Sequence, residues 1–267
     1  MVTRLQRQHP CIQSIRGRAV LKRVLFFSYG VVAYLLFLAT FLYAIAFVGG
    51  FGVGRRLDGP LQTSLLAATA IDCALLAVFA LQHSIMARRW YKELSAHVVP
   101  WTIERSTYVL CASLALLLLF WQWRPIGLEI WRVESNTARL FLWTLFAVGW
   151  TTVLIVTFLI NHFDLFGLRQ VWLPLIGRPY TPVPFRTPLP YRFVRHPLYF
   201  GFLLAFWSTP TMTLAHLLFA LATTAYIVLA IQFEESDLVA EHGAAYERYR
   251  RRVPMLLPFL TSRRFEP

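Results

Sequence analysis

The sequence is poor in cysteine and in charged residues. Only 3 of its 267 residues are cysteines, and two of them, Cys73 and Cys111, lie within apolar runs. No CxxC pair and no cluster of histidine with cysteine is present, which argues against both a disulfide framework and a zinc site. Charged residues make up 15% of the chain, whereas a soluble domain usually has about a quarter. An ordinary soluble domain is therefore not expected.

Apolar residues instead form segments of membrane length. They make up 57% of the chain, and several runs approach or exceed the roughly 18 residues that a membrane helix needs. The first run is too long for the core of a signal peptide, and no small-residue cleavage site follows it, so no cleavable signal is expected. The predicted runs cover residues 24–48, 64–87, 108–121, 140–160, 198–209 and 212–233.

These runs predict an all-α integral membrane protein with five to six membrane helices. The run at 198–209 is too short to span alone, and only Pro210 separates its end from the next run. We therefore predict that the last two runs form a tight antiparallel helical hairpin. The sequence divides into a basic arm (1–23), a four-helix membrane body (24–162), a proline-rich loop or lid (163–197) and the hairpin with its C-terminal segment (198–267).

The net charge of +13 reflects membrane orientation rather than nucleic-acid binding, because the basic residues flank the apolar spans. If the N-terminus is cytoplasmic, 21 of the 26 lysines and arginines lie on the cytoplasmic side. The positive-inside rule then predicts that both termini are cytoplasmic. Anionic lipid headgroups are the expected acidic partner.

Two adjacent carboxylates end the last apolar run. On a helix Glu234 and Glu235 project about 100° apart and cannot share one face. One carboxylate can enter a pocket while the other faces headgroups or pairs with an arginine, and the sequence leaves open which does so. Ionisable groups beside lipid are costly and usually serve a function. We therefore predict a binding site at this end of the hairpin.

A basic, tyrosine-rich segment follows the carboxylates. Tyr246, Tyr249 and Arg252 are spaced by three residues and share one helix face. A carboxylate can hold an ammonium group, a tyrosine ring can receive a cation, and arginine can clamp a carboxylate. S-adenosylmethionine offers a cation, an aromatic base and a carboxylate, so it suits this set. The alternative is an amphipathic helix that lies on anionic lipid.

Three motifs occur in order over about 60 residues: Arg-His-Pro-x-Tyr-x-Gly at 195–201, Glu-Glu-x-x-Leu at 234–238, and Gly-x-x-Tyr-x-x-Tyr-x-x-Arg-Val-Pro at 243–254. Together they resemble the isoprenylcysteine carboxyl methyltransferase superfamily of integral membrane methyltransferases. The resemblance implies a pocket for S-adenosylmethionine at the hairpin. Its implied residues are Arg195, His196, Tyr199, Gly201, Glu234, Glu235, Tyr246, Tyr249 and Arg252.

Four further segments, at 79–88, 103–108, 120–125 and 161–170, look like those of the bacterial methanethiol S-methyltransferases. This resemblance extends from about residue 24 over nearly the whole chain. It implies that methanethiol and S-adenosylmethionine give dimethyl sulfide and S-adenosylhomocysteine in the bacterial inner membrane. A small-molecule thiol and membrane lipids are the expected partners. No metal, nucleic acid or obligate protein partner is expected.

The acceptor thiol attacks as a thiolate, so a base or a positive field near it would help. We predict that His162, oriented by Asp164, accepts the thiol proton, with Arg169 close to the substrate. The alternative is that Asn161, His162 and Asp164 cap the helix end and pair with arginines. His83 either lines the acceptor pocket or bonds a neighbouring helix. Residues 170–195 are expected to cover the site as a lid.

Two other functions remain open on the sequence. The acceptor could be a lipid amine, an isoprenylated cysteine or another small thiol, since the cofactor half would look the same. A non-enzymatic scaffold or transporter is the second alternative. Transporters usually show internal repeats and polar residues at mid-membrane, whereas this chain shows no repeat and only Asp72 at that depth.

Overall fold

The computed structural model describes residues 9–182 and 187–257, with side chains from residue 20 onward. The first eight residues of the basic arm, residues 183–186 of the proline-rich loop and residues 258–267 lie outside this part. The elements are α1 (His9–Gly49), α2 (Leu65–Ala87), α3 (Arg89–Ser95), α4 (Trp101–Gln122), β1 (Glu129–Arg132), α5 (Asn136–Ile160), α6 (His162–Leu165), α7 (Leu168–Leu175), a 3₁₀ helix (Leu189–Arg192), α8 (Pro197–Trp207), β2 (Thr211–Thr213), α9 (Leu214–His242) and α10 (Ala244–Arg252).

The prediction of an all-α membrane protein is confirmed. Five helices, α1, α2, α4, α5 and α9, are long and apolar enough to cross a membrane. α8 has only 11 residues, about half of what a span needs. Helix α1 starts at His9 and continues without a break through Arg23, so the described part of the basic arm extends the first span.

Helix starts follow from capping side chains. The Ser64 hydroxyl accepts the backbone N–H of Ala67 at 3.3 Å at the start of α2. Ser135 does the same for Ala138 at 3.5 Å at the start of α5. Each serine pairs one of the N–H groups that a helix N-terminus leaves without a partner.

The hydrophobic core lies toward the end of the bundle where α1 and α4 finish. Phe47, Leu57, Leu119 and Trp123 are almost fully buried there, and the Trp123 indole N–H donates to the Leu57 carbonyl at 3.1 Å. Nearby, the antiparallel pair β1–β2 closes the turn between α8 and α9. We refer to the other end, where α2, α5 and α9 finish and α4 and α8 begin, as the site end.

Asp72, the polar residue at mid-membrane depth, joins α2 to the segment that follows α4. Its carboxylate accepts the backbone N–H of Arg124, just after α4, at 2.9 Å. A buried carboxylate that bonds a main-chain N–H across helices stabilises the packing of α2 on α4. The contact gives Asp72 a structural role away from the site end.

The short helix α8 packs most closely against α5. A Cβ on Gly201 would lie 2.8 Å from the Gly149 carbonyl oxygen, and one on Gly149 would lie 2.6 Å from the Ala205 nitrogen. Small residues allow membrane helices to approach this closely. α8 is therefore held against a full-length span although it is too short to cross the bilayer.

α8 and α9 form the predicted antiparallel hairpin. Near its turn, the rings of Phe206 and Phe219 are 5.0 Å apart and the Trp207 indole donates to the Thr224 hydroxyl at 3.0 Å. Because the two helices run antiparallel away from this turn, the start of α8 lies beside residues 234 and 235 of α9. The hairpin thus carries the motif residues of both helices to the site end.

A buried histidine, His216, joins the turn of the hairpin to the loop between α1 and α2. His216 Nδ1 lies 3.0 Å from the Asp58 carboxylate, and Nε2 lies 2.9 Å from the Phe206 carbonyl oxygen. The Asp58 carboxylate also accepts the hydroxyl of Thr213. The α1–α2 loop, the end of α8 and the start of α9 are joined through this one side chain.

The proline-rich loop forms only short helices, as its prolines predicted. The first part packs against α1 and α4: Trp172 contacts Phe27 with ring centroids 5.7 Å apart, and Gly167 approaches Ser106. Gly167 has φ +86°, and a Cβ there would lie 2.7 Å from the Ser106 nitrogen. Glycine is therefore required at this turn.

Candidate functional site

An ion-pair cluster joins the two helices of the hairpin at the site end. The Arg195 guanidinium Nε lies 2.7 Å from the Glu235 carboxylate, and His196 Nε2 lies 3.0 Å from the same oxygen. The side chains of Arg195 and Glu235 are each 11% exposed, and that of His196 is 4% exposed. A carboxylate buried to this degree needs such partners. Glu235 is therefore committed to holding α8 against α9.

The same arginine anchors the C-terminal segment. Its Nη1 donates to the carbonyls of Arg250 at 2.8 Å and Val253 at 2.7 Å. The backbone N–H groups of Arg195 and His196 donate to the carbonyls of residues 254 and 255, at 2.9 and 3.2 Å. Side chain and main chain together tie α10 to the start of α8, although about 60 residues separate them in the sequence.

Glu234 occupies a different environment from its neighbour. Its side chain is 46% exposed, its carboxylate lies beside the Tyr199 phenol, and one oxygen is 3.9 Å from His196 Nδ1. The two glutamates therefore do not share a face, as the helical geometry predicted. Glu234 is the carboxylate that can receive a ligand.

Two tyrosines of α10 line the adjacent wall. Tyr246 is buried and Tyr249 half-buried, with ring centroids 5.8 Å apart. The Tyr249 hydroxyl donates to the Tyr191 carbonyl at 2.7 Å, and burial raises the pKa of Tyr249 to about 12. Both rings stay neutral at physiological pH. Tyr249 offers part of its ring surface, whereas Tyr246, 1% exposed, is packed inside the wall. Arg252 is exposed one turn further on.

α10 can turn back because of the glycine before it. Gly243 has φ +53° and ψ −133°, a conformation that residues with a Cβ rarely adopt. The chain leaves α9 at this residue and starts α10 at Ala244. The predicted spacing of glycine and tyrosine therefore reflects a sharp turn followed by a helix that packs back against α9.

A second polar group, formed by His83, Tyr108, Ser84 and Tyr226, lies between α2, α4 and α9. His83 Nε2 is 2.8 Å from the Tyr108 hydroxyl, and the Ser84 hydroxyl donates to that of Tyr226 at 3.3 Å. The phenols of Tyr108 and Tyr226 lie within electrostatic range of Tyr199. This group therefore continues the site inward from the hairpin motifs.

No role for Tyr108 or Tyr226 was predicted from the sequence. Tyr226 stands within an apolar run, where a lone tyrosine resembles any aromatic residue near a membrane surface. Its spacing of eight residues from Glu234 was the available signal, because residues seven or eight apart return to one helix face.

His162, Asp164 and Arg169 lie together where α5 meets the loop, but they do not pair as predicted. His162 Nδ1 is 2.8 Å from the Thr157 hydroxyl and Nε2 is 2.9 Å from the Tyr34 hydroxyl. Asp164 instead pairs with Arg169 at 3.1 Å. Among the described residues, the Asp164 side chain makes no hydrogen bond to the His162 ring, and these contacts fit the structural alternative. The role of His162 as the base stays a prediction.

Two further bonds fix this segment. The Arg169 guanidinium donates to the backbone carbonyl of Thr181 at 2.7 Å, and the Tyr180 hydroxyl donates to the Asp164 carboxylate at 3.3 Å. Burial lowers the pKa of His162 from its ordinary value of 6.5, which keeps the ring neutral at pH 7. Arg169 thus stabilises the loop by joining Asp164 to Thr181. Its predicted contact with the substrate stays a prediction.

Gly201 faces α5 rather than the carboxylates. It is buried against the backbone of Gly149 and Val153, so its local role is close helix packing. Cofactor contact by Gly201 was predicted from the motif alone, and this packing gives it no support. Among the residues that the structure describes, no three or more His, Cys, Asp or Glu side chains are grouped as metal ligands.

Fold and site together define a multi-pass helical membrane protein. Its polar site lies at one end of the helix bundle and combines the ion-pair cluster of the hairpin with the polar group around His83. The chain is 53% identical to the methanethiol S-methyltransferase of Crocosphaera subtropica over 248 residues, which cover 93% of this chain and 97% of that protein. It is 53% identical to the methanethiol S-methyltransferase of Mycobacterium tuberculosis over 239 residues, or 90% and 98% of the two chains.

A more distant likeness is to nurim of Xenopus laevis, with 30% identity over 228 residues, 72% of this chain and 79% of that protein. No family model matches the chain, and no solved structure matches it. On its identity to the bacterial enzymes over nearly its full length, the chain belongs to the methanethiol S-methyltransferase family. Membership of this family implies that the protein uses a methyl donor.

Proposed function

We propose that this protein transfers a methyl group from S-adenosylmethionine to methanethiol and releases dimethyl sulfide and S-adenosylhomocysteine. Membership of the family supports the reaction. The observation that carries the donor site is the contrast between two adjacent carboxylates. Glu235 is enclosed by Arg195 and His196, whereas Glu234 beside Tyr199 is open to a ligand.

The residues at the site end fit S-adenosylmethionine chemically. Glu234 would receive a cationic group of the donor, and the half-buried ring of Tyr249, with Tyr246 packed against it, suits a cation or an adenine ring. The exposed guanidinium of Arg252 suits the donor carboxylate. Arg195, His196 and Glu235 would hold these groups in place rather than contact the donor through their already bonded atoms. The donor supplies an activated methyl group.

The role of the protein in such a transfer is mainly alignment. Displacement at a methyl carbon needs the attacking and leaving sulfur atoms in line with it, and positioning alone can supply several kcal/mol of the barrier. The acceptor is small and apolar, so a narrow pocket lined by aromatic groups is sufficient. The aromatic group of Tyr199, Tyr108 and Tyr226, next to Glu234, has this character.

We also propose that the site end faces the cytoplasm of a bacterial inner membrane. In the described structure the ends of α2, α5 and α9 and the starts of α4 and α8 lie at this end, and the basic residues of the chain concentrate on the connecting segments there. The positive-inside rule favours this orientation. Exposed Arg248, Arg251 and Arg252 on α10 would face anionic headgroups.

Headspace gas chromatography on purified protein tests the reaction. Given S-adenosylmethionine and methanethiol, the wild type is expected to release dimethyl sulfide. A Glu234→Ala variant should lose most of that product, whereas Glu241→Ala, which removes another exposed glutamate of α9, should not. Binding of S-adenosylhomocysteine without product from any tested thiol would keep methyl transfer and refute the acceptor. Absence of binding would refute the proposal as a whole.

A further inference from the structure

We propose that His83 is the proton acceptor of the reaction: its ring nitrogen Nδ1 takes the proton of the acceptor thiol, and Tyr108 positions the ring. The inference rests on the proposed methyl transfer and names the base for it. It moves that role from His162, which the sequence favoured, to a histidine on a different helix.

The first observation is an unpaired atom. His83 Nδ1 is fully buried and has no hydrogen-bond partner among the residues that the structure describes. Buried polar atoms nearly always have partners, and leaving one without a partner costs roughly 1–3 kcal/mol. An atom left in this state within a site is therefore expected to meet a ligand. A thiol S–H, which is a donor, matches an imidazole lone pair.

The second observation fixes which nitrogen is available. His83 Nε2 is 2.8 Å from the Tyr108 hydroxyl. When the Nε2–H donates to the phenol oxygen, the lone pair of the neutral ring lies on Nδ1. The same bond would hold the ring and would stabilise its protonated form, in which both nitrogens donate. Tyr108 is therefore a positioning residue rather than a catalytic one.

The surroundings of Nδ1 suit a small apolar thiol. The Phe79 ring stacks on the imidazole with centroids 5.3 Å apart, and the Tyr226 ring lies edge-on at 6.5 Å. The titratable or charged groups near this region on the neighbouring elements are Tyr108, Tyr226, Tyr199, Glu234, Arg88 and Arg105. Glu234 lies beside Tyr199, and Arg88 pairs with Asp237 at 3.4 Å. The positive charge of Arg105, which acts on Tyr108, would favour a thiolate here.

His83 is also connected to the donor side of the site. Tyr199 lies beside Glu234 and within electrostatic range of both Tyr108 and Tyr226, and its ring is 5.7 Å from that of His196. The same tyrosine thus borders the carboxylate for the donor and the group around His83. A thiol held at Nδ1 would lie on the inner side of Tyr199, with the donor on the outer side.

His162 offers no comparable atom. Both of its ring nitrogens have hydroxyl partners, at 2.8 and 2.9 Å, and its ring stacks on Phe158 at 4.1 Å. One of these bonds would have to break before His162 could accept a proton from a substrate. Of the two histidines, His83 alone presents a buried nitrogen without a bond among the described residues.

The step balances without a further reactant. The S–H bond of the thiol breaks, its proton forms the Nδ1–H bond of His83, and its electron pair stays on sulfur. That pair forms the new carbon–sulfur bond to the methyl group, and the old carbon–sulfur bond breaks with its electrons on the departing sulfur, which becomes neutral. The proton on His83 then passes to water, which restores the neutral ring.

A His83→Asn variant tests the proposal, because asparagine can still bond Tyr108 but is not a base. General-base catalysis contributes typically 10²–10⁴-fold, so turnover of methanethiol at pH 7 should fall at least about 100-fold. Affinity for S-adenosylhomocysteine, measured by calorimetry, should change less than about twofold. His97→Asn, which removes an exposed imidazole on the loop between α3 and α4, is the matched control and should retain turnover.

Two readouts separate a base from a structural histidine. Methaneselenol ionises far more readily than methanethiol, so the deficit of His83→Asn should shrink to less than about tenfold, since ionisation no longer needs the base. The deficit toward methanethiol should also narrow as the pH rises toward 9, where a thiol with a pKa of about 8.5 ionises by itself. Equal deficits for both acceptors at every pH would overturn the proposal.

Tyr108→Phe provides the test if His83→Asn does not fold. It keeps the ring but removes the partner of Nε2, so turnover of methanethiol should fall about tenfold, as expected for one lost hydrogen bond of about 1.4 kcal/mol. Methaneselenol turnover should be nearly unchanged. An identical loss for both acceptors would overturn the positioning role and with it the assignment. A wild type that yields no methylated thiol would instead refute the proposed function.

Discussion

Replacing each of the two adjacent glutamates with alanine should separate folding from donor binding. Glu235 bonds Arg195 at 2.7 Å and His196 at 3.0 Å, and its side chain is 11% exposed. Removing one partner of a buried ion pair costs roughly 3–5 kcal/mol. Because headgroup water can reach this end of the bundle, we expect the lower end of that range, about 3 kcal/mol, for Glu235→Ala.

Glu234→Ala should have the opposite profile. The side chain is 46% exposed, and substitutions at exposed positions usually change the free energy of unfolding by less than about 0.5 kcal/mol. A hydrogen bond to a charged group contributes about 1.5–3 kcal/mol. Loss of such a bond to the donor should therefore weaken binding of S-adenosylhomocysteine about tenfold.

Both effects can be read in one assay. Unfolding in detergent by graded addition of dodecyl sulfate, followed by tryptophan fluorescence, gives the free energy of unfolding with and without S-adenosylhomocysteine. At 100 times the wild-type dissociation constant, the ligand should stabilise the wild type by about 2.7 kcal/mol. The same concentration should stabilise Glu234→Ala by only about 1.4 kcal/mol, because it is then about tenfold above the weakened constant.

A third variant serves as the control for these two. Glu241→Ala, an exposed substitution on the same helix, should match the wild type in both stability and ligand response. A Glu235→Ala protein with unchanged unfolding and weakened ligand response would reverse the assignment of the two carboxylates. Equal changes in both variants would show that the pair acts as one binding unit.

The other predictions concern packing and protonation. Gly149→Val should destabilise the protein by about 1–3 kcal/mol by overpacking the contact with Gly201, measured by thermal unfolding in detergent, and unchanged stability would refute that close contact. Burial lowers the pKa of His162 below 6.5, so the unfolded chain binds this proton more tightly than the folded protein does. The free energy of unfolding should therefore fall as the pH drops below 6.5. A His162→Gln protein should lose less of that free energy between pH 7 and pH 5, and an equal loss would contradict the assignment. Asp58→Asn should cost about 1–3 kcal/mol because buried His216 loses its anionic partner, and a wild-type melting curve would show that the bond contributes nothing.

The membrane architecture could be predicted because its causes are local in sequence. Apolar runs of sufficient length gave the spans, and Pro210 gave the break in the hairpin. The helical angle between neighbours separated Glu234 from Glu235 before their environments were known. Each of these features depends on residues close together in the chain.

The parts that were missed depend on distant partners. Gly201 belongs to a binding motif in sequence, yet the packing of α8 on α5 turns it toward Gly149. Arg195, which encloses Glu235, is held by main-chain groups around residue 250. The spacing of residues in the sequence does not show that this segment comes back to the start of α8. The hydroxyl partners of His162 include Tyr34 on α1, 128 positions away. Tertiary contacts of this kind leave no local signal.

The pairing of Arg195 and His196 with residues 254 and 255 also sets an order of events during synthesis. The spans α1, α2, α4 and α5 and the hairpin precede these residues, so they can enter the membrane while the last partners of Arg195 are still untranslated. At about 5–20 residues per second, the ribosome needs about 3–12 seconds to travel from the first partners to the last. A nascent chain inserted during that interval has its membrane body but lacks the bonds that tie the C-terminal segment to the start of α8.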